Sequence, residues 1–431
     1  MQEGGLSWNV KLGLIWTTLE TASMSCRSGD VLSGFLFLKT KENSIVGFIQ
    51  GVNGLMQLVC AFPGGWLADS TRRDRLLKLA AVLGLAAGCC LFTAVLLQLN
   101  MAFIFLAMLL MGAYRGFYNP ALESLYADSV PTGHSSLYTA KHIAMQLGSC
   151  CGPILSMVLF FILGNEWKLS ECRIALLAGL LLMLAPLFGM LFFNDDLTLG
   201  KASEAVTSQS ARVQGPEAGA AGIQPQQACC GCCCNCSPSI LVLVIITFSD
   251  LLGALASGMT IKFFALFFMQ ACDMGPAEVS ALGALGPLGI SAASMLAQKA
   301  SKWTGRAQTT LITRLADVVL LVSMAFAPTR GVRAQSLLVG MHLLRTALAN
   351  CTRPLLRSLL MDYTPKRHRG KVNALDSVRT LSWSGSAALG GLLIQLYGFQ
   401  TTFIITACIK LSAWLPLAAL PFLSKIGSGA M

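Results

Sequence analysis

Apolar runs of about 20 residues follow one another along almost the whole of this chain, and a helix of that length crosses the hydrocarbon core of a bilayer. Hydrophobic residues make up 55% of the 431 residues and charged residues only 12%. Soluble domains are roughly 25% charged. The composition therefore excludes a soluble globular protein and predicts an all-α integral membrane protein with many spans.

The apolar pattern predicts twelve transmembrane spans, several of them long enough to require tilt. We expect them at residues 11–37, 44–68, 77–98, 101–127, 137–163, 172–193, 239–268, 277–299, 309–328, 335–361, 371–397 and 400–423. Basic residues collect in the loops after even-numbered spans, so the positive-inside rule places these loops and both termini in the cytoplasm. The formal charge of +11 follows from this distribution and does not indicate nucleic-acid binding. A plasma membrane and an organelle membrane both stay open.

Residues 199–237 interrupt the apolar pattern with Ala, Gly, Ser, Gln and Pro, a composition typical of a flexible linker. We expect this cytoplasmic linker to separate two six-helix bundles, at residues 1–198 and 238–431. It ends in a cysteine cluster beside span 7, formed by Cys229, Cys230, Cys232, Cys233, Cys234 and Cys236. Palmitoylation, soft-metal binding by thiolates and the absence of a specific role are the alternatives for this cluster.

A segment that begins at Pro120 recurs 234 residues later, from Pro354. The two copies share proline, leucine, serine, aspartate and histidine at matching positions, which indicates a duplicated architecture of the kind found in transporters. Both copies fall at the predicted cytoplasmic ends of spans 4 and 10. We expect a cytoplasmic gate there, in which Glu123 of one copy faces Arg357 of the other. The shared aspartates are Asp128 and Asp362.

The loop after span 2 reads Gly64-Gly-Trp-Leu-Ala-Asp69-Ser-Thr-Arg72-Arg73-Asp74-Arg75. It resembles the cytoplasmic loop signature of the major facilitator superfamily. The resemblance implies twelve helices arranged as two pseudo-symmetric six-helix bundles. It also implies a conformational latch made by Gly65, Asp69, Arg72 and Arg73. The alternative is an ordinary positively charged loop.

Two further segments carry a partial resemblance to the same superfamily. Gly148-Ser-Cys-Cys-Gly152-Pro153 in span 5 is similar to the antiporter signature, although its small-residue spacing also suits simple helix packing. Gly112-Ala-Tyr-Arg115-Gly116 is similar to the arginine motif of span 4. The resemblance covers the whole chain in architecture and spans 2, 4 and 5 in motif.

Charged residues inside spans are costly in hydrocarbon and are therefore functional candidates. The candidates for solute binding or proton coupling are Glu20, Arg27, Asp30, Arg115, Asp250, Lys262 and Arg345. They lie on spans 1, 4, 7 and 10, which line the central path in the superfamily. A desolvated carboxylate can take up a proton, so we expect Glu20, Asp30 or Asp250 to carry protons.

Arginine and lysine suit an anionic solute, since the guanidinium forks onto carboxylate, sulfate or phosphate. We expect Arg27, Lys262 and Arg345 in that role. The alternative is a set of structural ion pairs: Arg27 with Asp30, Arg115 with Glu123, and Asp250 with a cation across the bundle.

The sequence thus predicts a monomeric secondary active transporter that moves a small solute through the lipid bilayer by alternating access. The excess of cations in the second half favours an organic or inorganic anion, and the absence of a P-loop favours coupling to protons or another ion. No motif of an enzyme or a cofactor site is present. Proton-driven efflux of hydrophobic compounds and a non-transporting solute sensor are the alternatives.

Overall fold

The described residues of the computed structural model are 7–129, 135–198, 238–362 and 369–420, and they are almost entirely helical. We refer to the helices by the span that they form. The helices are Trp8–Arg27 and Asp30–Thr40 in span 1, Asn43–Ser70 in span 2, Arg73–Leu96 in span 3, Met101–Ser129 in span 4, Ser135–Leu163 in span 5, Leu169–Leu182 and Leu184–Gly189 in span 6, Pro238–Ile261 and Phe264–Gln270 in span 7, Pro276–Thr304 in span 8, Arg306–Phe326 in span 9, Val332–Cys351 and Arg353–Asp362 in span 10, and Arg369–Leu417 across spans 11 and 12.

These helices coincide with all twelve predicted spans, and their ends are shifted by only a few residues. Gly398 separates span 11 from span 12, because its φ of +78° lies in the left-handed region that glycine tolerates. Nine segments of the described part are long and apolar enough to cross a membrane. Spans 1 and 10 are not among those nine; both are interrupted and rich in charged residues. The all-helical fold class predicted from the sequence is confirmed.

Spans 1 and 7 are both broken, and the breaks lie at corresponding positions of the two halves. Span 1 is interrupted at Ser28 and Gly29, and span 7 at Lys262 and Phe263. Ser28 and Lys262 are separated by the same 234 residues as the repeated segment. Paired interruptions of this kind mark the solute site in duplicated transporters, because they release backbone groups into the path.

Glycines bring the two halves into close contact along two pairs of helices, span 2 with span 11 and span 5 with span 8. A methyl group on Gly47 would collide with the carbonyl of Ala387, and one on Gly54 would collide with Ser384. Small residues allow such backbone approach in a membrane, where no hydrophobic effect drives helices together.

Glycines also set the packing inside each half. Gly148 and Gly152 of span 5 lie against span 1, and Gly390 of span 11 lies against Met259 of span 7. The motif in span 5 thus does serve helix packing. Gly64 packs against Gly116 of span 4. No described atom lies within 4 Å of the position that a methyl group on Gly65 would take. The close approach at the loop after span 2 is therefore made by Gly64 and not by Gly65.

Gly152 offers a direct test of this packing. A methyl group at residue 152 would lie 2.5 Å from the backbone nitrogen of Cys26. We expect Gly152→Ala to lower the melting temperature in detergent, since overpacking costs about 1–3 kcal/mol.

Gly340 in span 10 is the matched control, because nothing in the described part lies within 4 Å of its methyl position. Gly340→Ala should leave the melting temperature unchanged or raise it, since glycine within a helix is unfavourable by roughly 0.5–1 kcal/mol. An equal decrease in the melting temperatures of the two variants would contradict the close packing of Gly152 against span 1.

Candidate functional site

Glu20 and Arg27 form a closed ion pair within span 1. The Arg27 Nη2 atom lies 2.7 Å from Glu20 Oε1, and the two side chains are 1% and 2% exposed. Arg27 also donates to the Ser23 hydroxyl, and the Tyr114 hydroxyl donates to Glu20 Oε2 at 3.3 Å. The predicted pair of Arg27 with Asp30 is wrong, because the break between them removes the helical i,i+3 geometry.

Arg115 and Lys262 converge on the break in span 1. Arg115 donates to the Ser28 hydroxyl at 3.4 Å and to Asn53 Oδ1 at 3.5 Å. Lys262 Nζ donates to the Ser28 carbonyl at 3.4 Å and lies 5.4 Å from the ring centroid of Trp383. Cations are favoured there, since a helix ends with unsatisfied carbonyls.

The predicted pair of Arg115 with Glu123 is also wrong. Glu123 lies eight residues further along span 4, about 12 Å away at 1.5 Å per residue. It instead binds Lys141 of span 5 at 2.6 Å.

A cavity of about 310 Å³ lies in the second half, with walls from spans 7 to 12. Asp30 is the one residue of the first half in its described lining. Its carboxylate reaches this position because Gly283 has no side chain; the methyl position there is 3.0 Å from Asp30 Oδ2. In the part of the chain that the structure describes, no hydrogen bond or ion pair of this carboxylate is found.

The wall of the cavity holds a buried group of three charges, which we call the triad: Asp317, Arg345 and Lys410. Asp317 Oδ1 lies 3.1 Å from Arg345 Nε, and Asp317 Oδ2 lies 2.6 Å from Lys410 Nζ. The three side chains are 6–7% exposed. One carboxylate therefore serves two cations, which come from spans 10 and 12.

Two members of the triad were not among the predicted site residues. Asp317 on span 9 and Lys410 on span 12 lie outside the four spans expected to line the path. Lys410 is a single charged residue in an otherwise apolar stretch, and Asp317 lies in an apolar helix three residues after Arg314; a charged residue inside a span is by itself a sign of function in a membrane. The pairing could not be read from the sequence, because 93 residues separate the partners.

An aromatic wall adjoins the triad on span 7. The Arg345 guanidinium lies 4.6 Å from the ring centroid of Phe264. The His342 ring lies 4.6 Å from Phe264 and 5.2 Å from Phe268, centroid to centroid. The buried Nδ1 atom of His342 has no hydrogen-bond partner among the described residues. This part of the cavity thus combines flat apolar surfaces with polar groups that are available to a ligand.

Asp250 lies where the cavity meets a second one of about 300 Å³, and Asp250, Arg353 and Arg379 line both. Its carboxylate pairs with Arg314 at 3.1 Å and with Arg379 at 3.6 Å. The expectation that Asp250 pairs with a cation of another span is confirmed. Arg357 and His142 line the second cavity.

Arg72 and Arg73, two of the predicted latch residues, make ion pairs within the first half. Arg73 pairs with Asp128 at 2.5 Å, and Arg72 pairs with Asp74 at 3.1 Å and with Asp196 at 2.8 Å. Hydrogen bonds that the Arg72 guanidinium donates to Asp74 and to Asp196 hold the pKa of Arg72 above its usual value. The side chains of Asp69 and Asp362 lie outside the described residues, as does the cysteine cluster, Cys229–Cys236. The gate itself stays a prediction.

The triad predicts an order of stabilities. Asp317→Asn would leave two buried cations without a carboxylate, and breaking a buried pair in this way costs about 3–5 kcal/mol. Lys410→Met would leave Asp317 and Arg345 as a neutral pair, so we expect a smaller loss. Thermal unfolding in detergent measures both variants. An Asp317→Asn variant as stable as Lys410→Met would contradict the charge assignment.

Comparison with known proteins places this architecture in context. The sequence model of the Major Facilitator Superfamily matches residues 31–386. No curated protein sequence matches the chain. Solved structures similar to it include a POT family transporter in complex with 5-aminolevulinic acid (TM-score 0.72, 14% identity, 97% of each chain covered).

Two further similar structures are a bacterial homologue of the iron transporter ferroportin in an inward-facing state and a D-xylose-proton symporter. The first has a TM-score of 0.68 and 14% identity and covers 95% of this chain and 98% of that one. The second has a TM-score of 0.68 and 15% identity and covers 95% and 97%. Identities this low show a shared fold alone. The match of the family's sequence model covers most of the chain, and the protein therefore belongs to the major facilitator superfamily.

Proposed function

We propose that this protein is a proton-coupled secondary active transporter that moves a small anion by alternating access. The observation that carries the proposal is the triad, in which Asp317 is shared by Arg345 and Lys410 at the wall of a cavity. A buried group with one more positive than negative charge is unfavourable in a membrane. An anion that enters the cavity supplies the missing negative charge.

Asp30 is the carboxylate that best fits proton uptake. Glu20 is held by Arg27 and Tyr114, and Asp250 is held by two arginines. Asp30 faces the cavity, and no such partner of its carboxylate is found in the described part of the chain. It also lies at the junction of the two halves, where a change in its protonation alters the electrostatic interaction with both of them.

The arrangement of the halves supports an inward-facing state. At the predicted outer end, Trp167 Nε1 donates to the Met274 carbonyl at 2.8 Å, and the Ala277 amide donates to Asn165 Oδ1 at 2.9 Å. Both bonds join the first half to the second. At the opposite end, the described pairs of Arg73 and Lys141 stay within the first half. Alternating access requires the outer bonds to break and the inner end to close, where Glu123 and Arg357 would meet.

Efflux of hydrophobic compounds, including cationic ones, is the rival that the aromatic wall could serve. The cations beside that wall argue against it, since a cationic compound would meet Arg345 and Lys410. A sensor that binds without transport differs in one measurable property, because it would show no flux.

The proposal is tested with purified protein in proteoliposomes that are supplied with labelled organic and inorganic anions under an imposed pH gradient. We expect accumulation that collapses when an ionophore dissipates the gradient. Absence of flux for every anion, or flux that persists unchanged after the collapse, would count against the proposal.

Asp30→Asn isolates the coupling step in the same vesicles. We expect it to abolish accumulation driven by the pH gradient, because amide cannot take up the proton, while exchange of internal for external solute continues. Glu42→Gln is a control, since Glu42 is an exposed carboxylate in the loop after span 1. Gradient-driven accumulation in Asp30→Asn at the level of the unaltered protein would exclude Asp30 as the proton carrier.

Asn165 and Trp167 test the direction of opening. Asn165→Ala combined with Trp167→Phe removes two hydrogen bonds between the halves, each worth about 1 kcal/mol. We expect the population open at the outer end to rise, seen as faster hydrogen exchange around residues 274–278. Asn100→Ala is the matched control, because Asn100 accepts a bond from Met101 within the first half. Equal exchange in both variants would contradict an outer closure at this place.

A further inference from the structure

We propose that the solute is a monovalent organic anion with a flat apolar body, whose charged group binds Arg345 and Lys410. This inference rests on the proposed function, since it names the solute class of that transporter. It concerns binding at the triad and the aromatic wall, so it can be tested without transport.

The charge of the triad sets the charge of the solute. Asp317 contributes one negative charge, and Arg345 and Lys410 contribute two positive ones; all three side chains are 6–7% exposed. A single negative charge brings the group to neutrality. A divalent anion would leave one negative charge over, and a cation would add to the surplus. Because uncompensated charge is costly at this depth, a monovalent anion is favoured when Asp30, which lines the same cavity, is in the protonated form that proton coupling requires.

Arg345 has donors available for such an anion. Its Nε atom is the one that faces Asp317. Among the described residues, no hydrogen bond or ion pair of its two Nη groups is found. Guanidinium Nη groups bind carboxylates in a planar, two-point manner. The buried His342 Nδ1, which has no described partner and lies beside Arg345 on the same helix, can hold a further polar atom of the solute.

The walls and the volume indicate the body of the solute. Phe264, Phe268, Trp383 and Trp414 line the cavity together with the triad. Flat aromatic surfaces favour an apolar or aromatic group over a hydrated ion such as sulfate. A volume of about 310 Å³ is at the lower end of ligand cavities, which run from roughly 300 to 1,000 Å³. The solute is therefore small.

Equilibrium dialysis of radiolabelled benzoate against the purified full-length protein in detergent tests this inference. We expect benzoate to bind and unlabelled benzoate to displace it. The uncharged benzamide, the cationic benzylamine, the divalent terephthalate and inorganic sulfate should each compete about tenfold less well or worse, which is the effect of losing about one charge-assisted contact.

Variants of the triad make the test specific. Arg345→Gln and Lys410→Met should each weaken benzoate binding by about tenfold or more. Lys410→Met keeps a neutral pair and so covers the case in which Arg345→Gln fails to fold. Arg333→Gln is the matched control, because Arg333 lies exposed on the same helix as Arg345. It should bind benzoate like the unaltered protein.

Absence of benzoate binding would overturn the inference, as would equal competition by sulfate, terephthalate or benzylamine. Unchanged binding in both triad variants would also overturn it. Flux of an inorganic or divalent anion without benzoate binding would refute this inference and leave the transport proposal intact. Benzoate binding that depends on the triad, in a protein that shows no flux, would refute transport and support the inference.

Discussion

The cost of an isolated charge in hydrocarbon governs the interior of this protein. In span 1 this cost is offset locally: Glu20 and Arg27 form an ion pair on one helix, and the Tyr114 hydroxyl donates a hydrogen bond to Glu20. In the second half the cost of the Asp250 charge is offset by residues distant in sequence, since Asp250 pairs with Arg314 and Arg379 from two other spans. In that set and in the triad alike, one carboxylate serves two cations, but the side chains of the triad are 6–7% exposed whereas those of the Asp250 set are 20–35% exposed. The triad is therefore the more deeply buried surplus of positive charge. The surplus lies at the wall of a cavity, where a solute can compensate it.

The duplication explains where the cavity is and why it is asymmetric. The breaks at Ser28 and Lys262 occupy equivalent positions, so both halves deliver backbone carbonyls and a change of helix direction to the same level. The residues at the two breaks differ, however. The first half places a serine there, followed by Asp30, and the second half places a lysine. Equivalent positions of the two halves thus carry residues of opposite charge.

The sequence alone was sufficient to predict the fold class and some of the residues that line the cavity. Apolar runs predict span positions well, because the thickness of the bilayer demands a minimum length. Asp30 and Arg345 were candidates because they are charged residues inside predicted spans, and both line the cavity. The pair of Arg27 with Asp30 was wrong, because it assumed an unbroken span 1 and no proline marks the break at Ser28 and Gly29. The pair of Arg115 with Glu123 was wrong because the two residues lie too far apart along span 4. Asp317 was missed, since its partners lie on spans 10 and 12 and only tertiary packing brings them together.

The single carboxylate that enters the cavity from the first half has a consequence for how specificity can evolve. Apart from Asp30, the described lining of the cavity belongs to the second half, whereas Glu20 and Arg27 of span 1 are buried against each other. Substitutions in spans 7 to 12 can therefore reshape what is recognised without disturbing the internal ion pair of the first half. On the proposed function, a change of solute would therefore need substitutions in the second copy of the duplicated unit alone, while the first copy could keep its packing unchanged.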